Sequence, residues 1–156
     1  MLKTLAAAVA LAIPAAPAAA QAVWDPRDLG GGSAEFRLGN DEGAAIILVC
    51  QLDGVSAGFE FPGALEATRS ASIRGVPGER QNVAVAAVND RVVRLTSGRG
   101  LEVLLRLLRN TANLYVRAGG ERASFEVFGS APVVSQCLER QDEAIPTPTR
   151  RFRSFR

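Results

Sequence analysis

The sequence predicts a mostly β domain: one antiparallel β-sandwich or strongly bent sheet, with two short helices near its C-terminal end and one disulfide. Three observations predict it. From Ala34 onward, apolar residues recur at every second position in short runs separated by Gly, Asn, Asp and Pro turn signals. Only two stretches, both late in the chain, carry apolar residues at helical spacing. The two cysteines, Cys50 and Cys137, fall at the end of a strand-like run and inside the last helix-like run.

The chain begins like an export leader. Lys3 gives a positive start, and Leu5 to Ile13 is an apolar run too short for a bilayer core of roughly 30 Å. Pro14 and Pro17 interrupt it, and Ala20-Gln21-Ala22 has the small-x-small form that signal peptidase cuts. The expected cut follows Ala22, giving a leader of residues 1–22. No cysteine lies near the cut, so a lipid-modified N-terminus is not expected. Removing 22 of 156 residues leaves 134, the size of one ordinary domain. An oxidising destination, periplasmic or secreted, lets Cys50 and Cys137 pair.

Residues 23–33 hold Trp24-Asp25-Pro26 and Gly30-Gly31-Gly32-Ser33 and are expected as an N-terminal arm and flexible link, with Trp24 closing over the core. The β-rich domain is expected over residues 34–143. Phe36 and Leu38 alternate with Glu35 and Arg37, and residues 39–43 form a turn by composition. Ala44 to Gln51 is continuously apolar up to Cys50, as for a central strand buried on both faces. An Asp53-Gly54 turn then sends back a strand with Val55, Ala57, Phe59 and Phe61 on one side. Residues 64–74 fit either a strand or the start of a helix; the alternation of Leu65, Ala67, Ala71 and Ile73 favours strand. Further strands carry Val83, Val85 and Ala87, and then Val92 to Thr96.

Leu101, Leu104, Leu105 and Leu108 predict a helix over 101–109, with Val103 and Leu107 widening its apolar arc and Glu102 paired with Arg106 on the wet side. Leu114, Val116 and Ala118 precede a Gly119-Gly120 hairpin turn, and Ala123, Phe125 and Val127 return. Ser130 is a fitting N-cap for a last helix with Pro132 in its first turn and Val134, Cys137, Leu138 and Gln141 on one face. Residues 144–156 are expected as a disordered tail in which Arg150, Arg151, Arg153 and Arg156 interleave with Phe152 and Phe155.

Composition narrows the chemistry. Past Lys3 the chain has no lysine and no histidine, which removes the Ser-His-Asp triad, the Cys-His pair, the Schiff-base lysine and the histidine-ligated zinc site. Pairing the cysteines removes thiolate chemistry as well. No glycine-rich phosphate loop is present. Carboxylate chemistry survives in principle, but Asp25, Asp28, Asp41, Glu42, Asp53, Glu60 and Asp90 are scattered among turns and wet strand faces. Asp41 with Glu42 lacks the spaced oxygen ligands of a dedicated calcium site. The expectation is therefore no enzyme, no cofactor and no metal.

Seventeen arginines against 16 acids after loss of the leader exclude a general electrostatic nucleic-acid binder. Local arginine pairs could still hold carboxylate or phosphate through their planar forks: Arg91 with Arg94, and above all Arg106 with Arg109 on one helix face. The tail (Arg150, Arg151, Phe152, Arg153, Phe155, Arg156) suits an anionic membrane surface, lipopolysaccharide or an acidic partner.

Phe125-Glu126-Val127-Phe128-Gly129, followed by a helix bearing Cys137, together with Ile47-Leu48-Val49-Cys50 and the arginine-bearing segment from Leu105-Arg106 to Tyr115-Val116-Arg117, resembles the periplasmic accessory proteins of type VI secretion systems. The resemblance covers about residues 44–137 and implies a non-enzymatic accessory protein acting through a protein partner in the cell envelope, with no catalytic residues to carry over. Cys50-Gln51-Leu52-Asp53-Gly54 with Phe59 and Phe61 also resembles the hairpin opening of small exported inhibitors of lysozyme or proteases, although their Ser-Gly loop and tyrosine have no counterpart here.

Overall fold

The computed structural model describes residues 21–144, with side chains described through Arg140. Residues 1–20, where the leader is expected, and residues 145–156, with the arginines and phenylalanines of the expected tail, lie outside the described residues. No described helix is long and apolar enough to cross a membrane.

The chain folds as nine antiparallel strands in one bent sheet, with two helices late in the sequence. The strands are β1 (Asp25–Gly30), β2 (Ser33–Gly39), β3 (Ala45–Gln51), β4 (Gly54–Glu60), β5 (Ser70–Val76), β6 (Arg80–Ala87), β7 (Val92–Leu95), β8 (Asn113–Ala118) and β9 (Glu121–Glu126). The helices are α1 (Gly98–Asn110) and α2 (Ala131–Ala144). In space the strand order is β1-β2-β3-β4-β7-β6-β5-β8-β9. β1 to β4 form a meander, and β5 to β7 form a second one laid back in reverse, so that β7 meets β4. α1 then carries the chain across β6 and β5, which it contacts, to place β8 beside β5.

The bend occurs at β6. Its first part, up to Ala84, pairs with β5, whereas Val85 to Ala87 pair with β7. One strand thus belongs to both halves of the sheet and turns the corner between them. The apolar set selected by the period-two pattern faces the helices: Phe36, Leu38, Ile46, Leu48, Phe59, Phe61, Ile73, Val93, Leu114 and Phe125 are all buried. Leu104 and Leu108 of α1 and Val134 of α2 fill the space they enclose. Cys50 at the end of β3 and Cys137 on α2, both fully buried, form the expected disulfide with a Cα–Cα distance of 5.2 Å. That distance lies within the usual span for a disulfide.

Several elements depart from the sequence expectations. Residues 25–33, expected as an arm and flexible link, form a β-hairpin with β2, and β1 is exposed along its whole length. Gly31 and Gly32 both adopt positive φ (61° and 81°), which lets them make a tight turn rather than a tether. The β3 run is not buried on both faces. Ile46, Leu48 and Cys50 are buried, but Ile47 and Val49 stay half-exposed, because only the inner face is covered by helices. The β3–β4 loop is Leu52-Asp53, with Gly54 already paired to Gln51. Residues 64–69 are irregular, so β5 starts only at Ser70, and Ala87 closes β6 exposed. The Glu102–Arg106 ion pair does not form; among the described residues the one ion pair joins Arg37 and Glu60 across β3.

Trp24 packs on the core, and its indole N–H donates to the hydroxyl of Ser130 at 2.9 Å. Ser130 is fully buried at the start of α2, so the N-terminal segment satisfies a polar group that water cannot reach. The Ala22 N–H donates to the Phe128 carbonyl at 2.8 Å, and the Asn40 side-chain amide donates to the Ser124 carbonyl at 2.9 Å. These bonds draw the start of the sheet towards its last strand.

Candidate binding face

The residues singled out in the sequence do not converge on a reaction centre. Arg106 and Arg109 are exposed on α1, Arg109 in its last turn where a cation complements the helix dipole. Arg106 shares a shallow groove of about 290 Å³ with Arg99, Glu102 and Gln81. Arg91 has a local structural role: its Nε donates to the Phe61 carbonyl at 3.0 Å, and its backbone N–H donates to Asn89. Arg94 lies on β7 opposite Gly58 and Ala86 and points outward. Asp25 and Asp28 lie on β1, Asp41 and Glu42 in the β2–β3 turn, Asp53 in a hairpin loop, and Glu60 against Arg37. No three metal-ligating side chains cluster among the described residues.

Two larger clefts are present. One, of about 500 Å³, lies between the β2–β3 turn and β9; Asn40, Asp41, Glu42, Tyr115, Ser124 and Glu126 are in its wall. Its wall holds carboxylates and hydroxyls and no cation. The other, of about 620 Å³, lies between the β1–β2 hairpin and α2. Trp24, Phe36 and Val133 are on its apolar side, with Arg27, Asp28 and Arg140 around it. Arg140 is already engaged there, donating to the Gly32 carbonyl at 3.1 Å.

The most distinctive polar arrangement is on the outer face of β6, β5, β8 and β9, away from the helices. Register places Arg80, Arg74, Tyr115 and Ser124 in one row across these strands, and Asn82, Ser72, Arg117 and Arg122 in the next. Arg74 therefore stands directly opposite Arg80, and Arg117 directly opposite Arg122. All four arginines are exposed, and none of them has an ion-pair partner among the described residues. The Arg74 guanidinium lies 5.2 Å from the centre of the Tyr115 ring, close enough for a cation–π contact. β5, β6, β7 and β8 contain no acid at all; the carboxylates that border this side are Glu79 in the β5–β6 turn, Glu126 on β9, Asp41 and Glu42 across a cleft from Tyr115 and Ser124, and Glu66 against the β8–β9 turn.

Like charges directly opposite each other on neighbouring strands destabilise a sheet. Here two such pairs occur within four strands. With strands about 4.8 Å apart and rows about 6.7 Å apart, the centres of the two pairs are roughly 12 Å apart on a diagonal. Sequence reasoning missed this face, although Tyr115 and Arg117 were visible as the wet positions of one strand. The signal available was the set of period-two wet positions Arg74, Arg80, Arg117 and Arg122. What joins them is the pairing of β5 with β8 across α1, which no local pattern reveals.

No family model, curated protein or solved structure matches this chain.

Proposed function

We propose that this chain is an exported, non-enzymatic binding domain of the cell envelope that acts through a protein partner. The observation that carries the reading is the outer arginine face: four exposed cations held at fixed register, in two pairs that repel each other until something anionic lies over them. Export is supported by the leader pattern and by the buried Cys50–Cys137 bond, which an oxidising compartment permits. The resemblance to periplasmic type VI secretion accessory proteins points the same way. A photo-crosslinker at Ser72, on the face, should capture a protein in the native envelope; one at Gln136 on α2 should not. Failure to recover any protein above background from Ser72 would count against the reading.

One observation favours a second reading, a small inhibitor of lysozyme or a protease. Leu52 is 46% exposed at the tip of the tight β3–β4 hairpin, two residues from the disulfide-anchored Cys50. Such a tip could enter an enzyme cleft. Purified protein that inhibits no enzyme across a panel of lysozymes and proteases would retire it.

A further inference from the structure

We infer that the outer face of β6, β5, β8 and β9 takes an acidic segment of the partner, with Arg74, Arg80, Arg117 and Arg122 pairing with its carboxylates. The inference rests on the proposed protein-binding reading and specifies the chemistry of the partner. Arginine's planar fork accepts a carboxylate through two parallel N–H donors, and a strand backbone fixes where each fork starts. The two Arg–Arg pairs therefore call for acids in two groups, with centres about 12 Å apart. Glu79 and Glu126 both lie at the Arg80 end of these strands and would repel an acidic segment that slid towards that end.

The same face is poorly made for a lipid surface. Membrane-docking patches mix cations with exposed apolar side chains that enter the headgroup region. Here Tyr115 is the one large exposed ring among the arginines, and Arg74 already covers it. The other exposed large apolar residues lie elsewhere: Val23 and Leu29 in or before β1, Leu52 in its hairpin, Val88 past β6, and Phe128 beyond Glu126.

The test uses the full mature protein in its oxidised form. The probe is an unstructured twelve-residue peptide with two Glu-Glu pairs spaced for about 12 Å, compared with the matching Gln peptide. The glutamate peptide should bind, and the Gln peptide should bind at least tenfold more weakly. R74Q/R117Q should lose about fivefold to tenfold in affinity, as expected for two partly exposed ion pairs. R27Q/R140Q, which removes the same charge from the cleft between β1 and α2, whose wall contains none of the face's residues, should stay within about twofold. R122Q should bind more weakly while its melting temperature rises by about 1–2 °C, because a cross-strand repulsion is gone. A purely structural role for Arg122 would not separate the two readouts in that direction.

Equal binding of both peptides, or an equal loss in R27Q/R140Q, would overturn the inference. So would tighter binding, abolished by R74Q/R117Q, to phosphatidylglycerol vesicles or to a single-stranded oligonucleotide. If the peptide fails while a Ser72 crosslink still captures a protein, the acidic-partner inference falls and the protein-binding reading stands. If Ser72 captures nothing, the protein-binding reading itself falls.

Discussion

Reduction of the Cys50–Cys137 bond removes no atom from the core, so its effect on stability is almost purely that of the crosslink. The two cysteines are separated by 87 residues, and closing a loop of that length restricts the unfolded chain by about 4.6 kcal/mol in chain-entropy terms. A domain of this size has a total stability of about 5–15 kcal/mol, so the reduced protein should be marginal at room temperature. With a urea dependence of about 1.5 kcal/mol per molar, the unfolding midpoint should fall by about 3 M. Trp24, the single tryptophan, sits half-buried against Ser130 and reports on the transition by fluorescence, with far-ultraviolet circular dichroism as the second probe. Thiol counting by mass spectrometry establishes that both sulfurs are free. A midpoint shift below about 0.5 M with two free thiols would refute the reasoning, because the bond would then constrain nothing that the fold does not already fix.

A Cβ on Gly58 would lie 2.6 Å from the Val93 carbonyl oxygen, a backbone atom that cannot swing aside. G58A should therefore spread the β4–β7 pair and lose about 2–3 kcal/mol in urea unfolding; a loss below about 0.5 kcal/mol would contradict the close approach. W24F keeps an aromatic ring over the core but leaves the fully buried Ser130 hydroxyl without its donor. It should lose about 1–2 kcal/mol by thermal melting, and S130A in the same background should recover part of it. Protein from the native host should have the intact mass of a chain starting at Val23; a start at or before Ala22 would refute that cut and would keep the bond from Ala22 to Phe128.

The sequence carried the strands wherever a wet and a dry face alternate: Phe36 and Leu38, Ala57 and Phe59, Val116 and Phe125 all face the helices as their spacing requires. The leucines of α1 were legible for the same reason at a different period, and the two cysteines could be paired because the domain has no others. β1 was not legible. Asp25 to Gly30 buries nothing, so no hydrophobic period marks it, and it is a strand only because β2 offers it a hydrogen-bonding edge. The apolar run at β3 misled in the opposite direction. Ile47 and Val49 are β-branched residues that suit a strand on either face, and their type alone does not reveal that the outer layer is missing. The arginine face was illegible for a topological reason: Arg74 and Tyr115 become neighbours only because α1 returns the chain to β5 instead of to β7.

The strand shared between the two halves of the sheet has a bearing on how the molecule comes apart. β6 gives its first five residues to one neighbour and its last three to another, so neither half can detach without stripping hydrogen bonds from a segment the other also uses. The disulfide then ties α2 to β3, while α1 lies against β5 and β6 and touches α2. Local openings should therefore merge into one cooperative event, with amide protons of β3, β6 and α1 exchanging together at the global rate and those of β1 exchanging far sooner.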